Sequence, residues 1–260
     1  MKRRQHLLWL IFAVILAFSL AGLCNADHGF SLMTWNVRGY PEATAARQTW
    51  FSDVLEEYDP DILCVQEIAN IDRVTTFINS EPAYTQSAFL DSSDGQDNAI
   101  FFHGDVLVSD VSDPTGFRHP AQLCYFRYAG LDAYVLTVHL AWDSKSERAE
   151  ERRLLRVVAE NAMGLDQDLI IAGDFNTTGD YGDTIKSLAD ELGMIVMEPV
   201  NYAIGTTCAG SHYDHILISQ SVAASWYVST TIIDFDNKVM ACAVSDHRPL
   251  LATLEPMAVR

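Results

Sequence analysis

The sequence has 260 residues, with 17 lysines and arginines against 35 aspartates and glutamates, which gives a formal net charge of −18. A hydrophobic share of 49% excludes a disordered chain, because it supplies enough apolar surface for a sizeable core. The acidic excess argues against a general polyanion-binding protein, since binding to phosphate backbones depends on lysine and arginine side chains that displace counterions. It does not exclude a local phosphate site built around a metal ion.

The first segment is predicted to be an export signal. Basic residues at positions 2–4 precede a largely apolar run over residues 7–24, and the chain becomes polar at Asp27. A basic start, an apolar stretch and small residues before a polar boundary are typical of a secretory signal peptide. We therefore predict that residues 1–26 are removed and that the protein is periplasmic or secreted. The alternative is a membrane anchor formed by residues 7–24, since a spanning helix needs roughly 20 apolar residues.

Removal of the signal leaves 14 basic residues against the same 35 acidic ones, so the net charge becomes −21. Four cysteines then remain, namely Cys64, Cys124, Cys208 and Cys242. An even number in an oxidising compartment permits disulfides, and four cysteines allow three connectivities. Cys64 lies in an apolar run and is predicted to be a core residue, whereas Cys208 and Cys242 each precede a candidate catalytic segment, which favours that pair. The absence of C-x-x-C spacing gives little support to a thiolate zinc site.

The exported part of the chain is predicted to form one layered α/β domain. Neither an internal repeat nor a Pro/Gly-rich linker divides residues 27–260. Short apolar or alternating runs predict strands, and longer amphipathic segments between them predict helices. The strands are expected at 30–37, 61–66, 99–103, 133–140, 169–174, 213–219 and 250–254, and the helices at 43–58, 71–79, 145–163 and 181–192. Interspersed strands and helices are typical of layered α/β domains.

Polar side chains that can bind metals or phosphates stand at the ends of most predicted strands. Strand ends that meet at one edge of a sheet are where ligand sites form in open α/β folds. Each such residue alone is ordinary turn chemistry, but their joint placement predicts one shared site. The residues are Asn36, Glu67, His139, Asp174, Asn176, Asp214, Asp246 and His247.

Three of these side chains are oxygen donors suited to a hard cation. Glu67 and Asp246 are carboxylates of the kind that bind Mg²⁺, Mn²⁺ or Ca²⁺, and Asn36 is a neutral oxygen supplement. Because Mg²⁺ commonly takes only one or two carboxylates and keeps water, such a site leaves room for a phosphate oxygen.

The other five are suited to proton transfer and phosphate binding. Asp174 and Asn176 are two residues apart, so near a strand end both side chains can emerge on one side and orient a water and a phosphate oxygen. Asp214 can fix the tautomer of His247 and raise its basicity, as carboxylates do for catalytic imidazoles. His139 supplies a second imidazole for protonation or for binding the phosphoryl group.

Six short motifs occur in order along the chain: WNV at 35–37, QE at 66–67, VHL at 138–140, GDFN at 173–176, DHI at 214–216 and SDHRP at 245–249. This set resembles the endonuclease/exonuclease/phosphatase superfamily, which includes deoxyribonuclease I, exonuclease III-type enzymes, inositol polyphosphate phosphatases and bacterial sphingomyelinases. The resemblance covers about residues 30–254. It implies a four-layer α/β/β/α sandwich of the deoxyribonuclease I kind and divalent-metal-dependent hydrolysis of phosphoesters. It also implies that Glu67 is the principal metal ligand and that Asp214 is the partner of a water-activating or phosphate-facing His247.

These observations predict an exported Mg²⁺- or Mn²⁺-dependent phosphodiesterase of the nuclease kind, with Ca²⁺ as another candidate cation. Arg38 and Arg248 adjoin the motifs and are expected to bind substrate together with Asn176 and His139. One alternative is a phosphatase or sphingomyelinase-like phospholipase acting on a small phosphorylated compound or lipid head group. Another is an inactive binding protein, which is disfavoured because no expected catalytic position is replaced. The predicted partner is a phosphoester, with nucleic acid as a candidate; no obligate protein partner is evident, and a membrane is involved only if residues 7–24 are retained.

Overall fold

The computed structural model describes residues 29–40, 45–92, 95–177, 183–234, 242 and 244–257. The predicted signal peptide lies outside these residues. In chain order the strands are β1 (Phe30–Tyr40), β2 (Ile62–Ile68), β3 (Tyr84–Phe89), β4 (Asp97–His103), β5 (Leu107–Ser112), β6 (Gln122–Tyr128), β7 (Leu131–His139), β8 (Leu169–Asp174), β9 (Met194–Val196), β10 (Asp214–Ser219), β11 (Trp226–Ile232) and β12 (Leu250–Pro256). The helices are α1 (Ala45–Tyr58), α2 (Ile71–Ser80), α3 (Lys145–Leu165), α4 (Asp183–Leu192) and α5 (Gln220–Ser225), with a 3₁₀ turn at Tyr202–Ile204.

The strands form two six-stranded sheets. The first has the order β11-β12-β1-β2-β4-β3 and the second the order β5-β6-β7-β8-β10-β9. Within these sheets β1 and β2 are parallel, as are β7 and β8, with Asn36 opposite Gln66 and His139 opposite Asp174. Because the carboxyl ends of parallel strands lie at the same edge, each sheet places its polar strand-end residues at one edge.

Apolar side chains divide the fold into layers. The inner faces of the two sheets pack on each other through residues such as Leu32, Cys64 and Ala172. On the outer face of the first sheet, helices α1 and α2 cover its strands, and Phe51 of α1 stacks on Trp35 with ring centroids 4.8 Å apart. Helices α3 and α4 cover the outer face of the second sheet. The predicted four-layer α/β/β/α sandwich is therefore confirmed.

Helices α2 and α3 begin where a polar side chain accepts a hydrogen bond from the first turn. Asn70 accepts from the backbone N–H of Arg73 at 3.2 Å, and Ser144 accepts from that of Glu147 at 3.2 Å. Such caps satisfy N–H groups that have no partner within the helix. The Ser144 cap fixes the start of α3 five residues after His139. None of the described helices is both long enough and apolar enough to cross a membrane.

Gly173 allows strands β7 and β8 to approach closely. A Cβ atom at this position would lie 2.0 Å from the carbonyl oxygen of Val138 on the neighbouring strand. Real Cβ atoms do not approach backbone oxygens so closely, so only glycine fits this pairing. The close pairing places the next residues of the two strands, His139 and Asp174, side by side.

The cysteines follow the predicted pattern. Cys208 and Cys242 form a disulfide with their Cα atoms 5.9 Å apart. Cys64 and Cys124 are free and buried, as predicted for Cys64. The bond therefore joins the loop before β10 to the segment before β12, and these two segments carry Asp214 and His247.

Candidate active site

His247 is held by a buried carboxylate. Its Nδ1 atom lies 2.8 Å from Oδ2 of Asp214, which is fully buried at the start of β10. Burial disfavours the charged imidazole, but the neighbouring carboxylates of Asp214 and Asp174 outweigh it and raise the pKa of His247 above its ordinary value. The hydrogen bond occupies Nδ1 and leaves Nε2 as the ring atom that can meet a substrate.

The first sheet holds the backbone around His247. The indole Nε1 of Trp35 donates to the His247 carbonyl oxygen at 3.0 Å. The hydroxyl of Ser245 accepts from the His247 N–H at 3.1 Å and donates to the Asn36 carbonyl oxygen at 2.6 Å. Trp35 and Ser245 belong to the WNV and SDHRP motifs, but neither was among the predicted site residues. Their position directly beside candidate residues was the only signal available for finding them.

Asp174 lies between two imidazoles. Its Oδ2 atom is 3.7 Å from Nε2 of His139 and 3.7 Å from Nε2 of His247. Its Oδ1 atom accepts from the backbone N–H of Asn176 at 2.8 Å. Burial raises the pKa of this carboxyl, but His247, His139 and the Asn176 hydrogen bond outweigh that effect and lower the pKa below its ordinary value. Asp174 is therefore an ionised hydrogen-bond acceptor at the centre of the cluster.

Asn36 links this carboxylate to a second one. Its Nδ2 atom donates to Glu67 Oε1 at 2.9 Å and to Asp174 Oδ2 at 3.1 Å. Burial raises the pKa of Glu67, the Asn36 hydrogen bond opposes this rise, and the charges of Asp174 and Asp246 add to it. Several carboxylates thus face one another, and a divalent cation would relieve their repulsion.

The donor set at this end of the site fits a hard cation. The Glu67 side chain is partly exposed, and Asp246 is an exposed carboxylate at the rim whose Oδ2 lies 3.3 Å from Nη1 of Arg38. The Asn36 Oδ1 atom accepts from the Arg38 N–H at 3.0 Å. Two carboxylates and an amide oxygen suit Mg²⁺, Mn²⁺ or Ca²⁺.

A second group of potential ligands overlaps the hydrogen-bonded residues. One atom each of Asp174, Asp214 and His247 lie within 4.8 Å of one another. Within this trio, the 2.8 Å contact between His247 and Asp214 is a hydrogen bond that uses the ring nitrogen nearest the carboxylate.

Three site residues have left-handed backbone conformations. The φ angles are 45° at Arg38, 63° at Glu67 and 46° at Asn176. Residues other than glycine rarely adopt this region, because the Cβ atom crowds the carbonyl oxygen there. At Asn176 the conformation accompanies a hydrogen bond from its Nδ2 to the Leu140 carbonyl oxygen at 2.9 Å. Three of the six described non-glycine residues with positive φ thus belong to the site, where such strain is common.

A buried polar contact joins the two sheets beneath the site. The Nε2 atom of Gln66 donates to Thr137 Oγ1 at 2.9 Å and to Thr34 Oγ1 at 3.1 Å. Thr34 and Gln66 belong to the first sheet, whereas Thr137 belongs to β7 of the second. This contact fixes the spacing between the sheets one residue before Glu67 and two residues before His139.

A further histidine packs on the site. The ring of His119 stacks on that of His139 with centroids 4.5 Å apart and an interplanar angle of 17°. His119 is buried. Pro120, which follows it, is held by the side chain of Asn98, whose Nδ2 donates to the Pro120 carbonyl oxygen at 2.9 Å. His119 was not among the predicted site residues, because it lies in a loop outside every motif.

The two arginines expected at the substrate have different surroundings. Arg38 is exposed at the rim of the site beside Asp246. Arg248 is buried, and its guanidinium donates to Asp234 Oδ1 at 3.0 Å and to the carbonyl oxygens of Gly205 and Thr207. Arg248 therefore ties the loop before β10 to Asp234, which follows β11, and its contact with substrate stays a prediction.

The six motifs thus meet at one edge of the paired sheets, and comparison with known families identifies them. A family model described as "Endonuclease/Exonuclease/phosphatase family" matches residues 33–247. The chain belongs to the endonuclease/exonuclease/phosphatase family. The resemblance expected from the motifs is thereby confirmed.

Solved structures of this family share the fold at low sequence identity. TDP2 of D. rerio, in complex with a single-strand DNA product, is 18% identical with a TM-score of 0.67, and the match covers 88% of this chain and all of that one. The human Nocturnin catalytic domain with bound sulfate is 19% identical with a TM-score of 0.67, covering 89% and 96%. The mannosyl-6-phosphatase Bt3783 of Bacteroides thetaiotaomicron is 17% identical with a TM-score of 0.66, covering 86% and 99%. No curated protein sequence matches the chain.

Proposed function

We propose that this family member is an exported, divalent-metal-dependent phosphodiesterase that cleaves its substrate by attack of water, as nucleases do. The observation that carries the proposal is the arrangement around Asp174, whose Oδ2 lies 3.7 Å from the Nε2 atoms of both His139 and His247. An ionised carboxylate flanked by two imidazoles provides a hydrogen-bond acceptor for a water molecule and two groups that can face the substrate.

Each side chain then has a separate task. Asp174 accepts a hydrogen bond from the attacking water and orients it together with His247. Asp214 holds the His247 ring through Nδ1, so that Nε2 faces the substrate. His139 and Asn176 contact the phosphoryl oxygens on which negative charge develops. Preorganised groups of this kind typically contribute factors of about 10²–10⁴ each to the rate.

Glu67 and Asn36 would hold the cation together with Asp246 at the rim. When bound, a divalent cation supplies stabilisation of charge on the phosphoryl group and on the leaving oxygen. Arg38 is placed to contact substrate at the same rim, in exchange for its ion pair with Asp246.

Export and the extent of the domain are part of the proposal. A disulfide between Cys208 and Cys242 is typical of proteins that fold in an oxidising compartment, which supports removal of residues 1–26 and export of one catalytic domain over residues 27–260.

The nuclease-like substrate is favoured over a phosphomonoester by one comparison. The TDP2 structure contains a single-strand DNA product, so this fold can hold a nucleic acid strand in that protein. The name of Bt3783, a mannosyl-6-phosphatase, points to the alternative of a small phosphomonoester.

A substrate panel separates these two possibilities. The purified protein is assayed with Mg²⁺ or Mn²⁺ against bis-p-nitrophenyl phosphate, plasmid DNA, single-stranded DNA, p-nitrophenyl phosphate, inositol phosphates and sphingomyelin. Cleavage of diesters, and of DNA in particular, is expected. Turnover of monoesters alone would contradict the proposal, as would full activity after removal of divalent cations with EDTA.

Two variants test the residues. His247→Ala and Glu67→Ala should each lower kcat at least about 10²-fold, because one removes a group that orients the attacking water and the other the main cation ligand. Glu147→Ala, at an exposed position of α3, is a matched control for loss of a carboxylate. Thermal unfolding of all three variants checks that the fold is intact. Wild-type turnover by either site variant would contradict the role proposed for that residue.

A further inference from the structure

A basic pocket lies beside the active site on the outer face of the second sheet. It has a volume of about 250 Å³ and lies between α3, the start of α4 and the residue that follows Asn176. Among the residues that the structure describes, its lining contains three cationic side chains and no carboxylate; these residues are Lys145, Arg148, Ala149, Arg152, Thr177 and Thr184. In a chain with a net charge of −18, such a concentration of positive charge favours an anionic ligand.

The other arginines of the same helix are neutralised by ion pairs. Arg153 lies 2.6 Å from Glu150, and Arg156 lies 3.6 Å from Glu160. By contrast, no ion pair joins any of the three pocket cations to a carboxylate among the side chains that the structure describes. Their charges are therefore available to a ligand.

Two of the three pocket cations are held in place by the protein backbone. The buried guanidinium of Arg148 donates to the carbonyl oxygens of Ala141 and Trp142 in the loop after His139. The Nη2 atom of Arg152 lies 3.5 Å from the Thr184 carbonyl oxygen at the start of α4. Lys145 is exposed in the first turn of α3 and is free to reach toward a ligand. A site whose charges are largely fixed in advance binds an anion at low entropic cost.

The lining of the pocket adjoins the catalytic residues. Thr177 directly follows Asn176, and consecutive Cα atoms are about 3.8 Å apart. The loop that precedes Lys145 begins at His139 and carries Leu140, whose carbonyl oxygen accepts from the Asn176 side chain at 2.9 Å. Along α3, Lys145 and Arg152 are seven residues apart, which corresponds to about 10 Å of helix. The pocket thus adjoins Asn176 through Thr177, and its cations are spread over about 10 Å of α3.

We propose that this basic pocket binds a second phosphate group of the substrate, one that is not hydrolysed. The inference rests on the proposed function and narrows it to substrates with at least two phosphates, such as a nucleic acid strand or a doubly phosphorylated small molecule. Lys145 and Arg152 provide the contacts that distinguish such substrates, whereas Arg148 mainly shapes the pocket wall.

Binding of inorganic phosphate tests the pocket without catalysis. The unfolding midpoint is measured in EDTA with rising phosphate at constant ionic strength, since a ligand that binds only the folded state raises it. EDTA removes divalent cations, so the carboxylates of the catalytic cluster repel phosphate. Lys145→Gln/Arg152→Gln should weaken phosphate binding about tenfold or more, because charge-assisted hydrogen bonds are lost. Arg153→Gln/Arg156→Gln removes the same charge from the same helix and is the matched control. Equal phosphate binding by both double variants would overturn the proposal, as would no binding by the wild type.

Kinetics with Mg²⁺ test the link to the substrate. The ratio of kcat/KM for a short single-stranded oligonucleotide to that for bis-p-nitrophenyl phosphate should fall about tenfold in the pocket variant and stay constant in the control. For the oligonucleotide, the slope of log KM against log salt concentration should also be smaller by about 1.4 in the pocket variant than in the wild type, since each of the two cations lost contributes about 0.7. If kcat/KM for a doubly phosphorylated small molecule falls in parallel, the pocket binds a terminal phosphate. If kcat/KM falls for the oligonucleotide alone, the pocket binds the backbone of a strand.

Failure of the two proposals can be told apart. A protein that hydrolyses no phosphoester but loses phosphate binding in the pocket variant contradicts the proposed function and leaves the anion pocket in place. An active enzyme whose substrate ratio is the same in both double variants contradicts the pocket and leaves the activity.

Discussion

Loss of the disulfide between Cys208 and Cys242 should destabilise the protein by an amount that follows from its position in the chain. The two residues are separated by 34 positions. In the chain-entropy model, closing a loop of that length removes about 13 cal/mol/K from the unfolded state, or about 3.8 kcal/mol at 25 °C. We therefore expect Cys208→Ser/Cys242→Ser to lower the free energy of unfolding by about that amount.

Activity should fall as well, because the disulfide adjoins the contacts that hold His247. The N–H of Cys208 donates to the Asp246 carbonyl oxygen at 2.8 Å, and Thr207 pairs with His247 in an isolated bridge. Without the covalent link, only noncovalent contacts hold the loop against the catalytic segment, among them the hydrogen bonds that Arg248 donates to Gly205, Thr206 and Thr207. We expect a lower kcat and a steeper loss of activity on warming.

The assay is urea unfolding, with and without a thiol reductant, on wild type and the double variant. Reductant should shift the wild type to the stability of the variant and leave the variant unchanged, which also controls for reactions at Cys64 and Cys124. If reductant lowers the free energy of unfolding of the wild type by less than about 1 kcal/mol, the loop-closure reasoning is refuted. Full activity of the reduced wild type would show that the disulfide has no part in positioning His247.

Three further outcomes are expected. Asp214→Asn should lower kcat for bis-p-nitrophenyl phosphate about 10³-fold, because the amide no longer stabilises the charged His247 ring in its orientation, and a loss below tenfold would count against that role. Gly173→Ala should lower the free energy of unfolding by about 3 kcal/mol, because the added Cβ meets the Val138 carbonyl oxygen. Gly164→Ala, whose Cβ enters open space on α3, should stabilise the protein slightly. Similar unfolding midpoints for the two variants would contradict this prediction. Burial lowers the pKa of His215 to about 3, whereas the ring titrates near 6.5 in the unfolded chain. As pH falls from 6.5 toward 3, the free energy of unfolding of the wild type should therefore drop by about 1.4 kcal/mol per pH unit relative to that of His215→Gln. Urea titrations over this pH range measure the difference, and parallel pH profiles would disprove it.

The interior strands and the four long helices were predictable from the sequence, but the sheet edges were not. Strands β3, β5, β9 and β11 were missed, and they are the four edges of the two sheets. An edge strand needs fewer apolar residues, and most side chains of β5 are exposed, including Leu107 at 68%. Strand β6 was also missed, although its buried positions alternate with more exposed ones, as is typical of a half-buried strand.

The site was predictable where the chemistry follows directly from strand ends. His139, Asp174 and Asp214 were expected to meet, and the parallel and antiparallel pairings around β8 bring them together. The role of Arg248 was not predictable, because its partner Asp234 and the carbonyl oxygens it binds are set by how a distant loop folds. The stacking of His119 on His139 likewise depends on a loop conformation that no local pattern encodes.

The left-handed backbone at Arg38, Glu67 and Asn176 sets function and stability against each other at the same positions. Each such residue costs on the order of 1 kcal/mol, which glycine would recover. A population of this gene propagated under heat, with no demand for activity, should therefore accumulate glycine at these positions, as at Asp59, Asp110 and Ala129, which have positive φ outside the site. Glu67 and Asn176 would then be lost from their motifs, while the apolar interior stayed the same, and the protein would lose site residues as it gained stability.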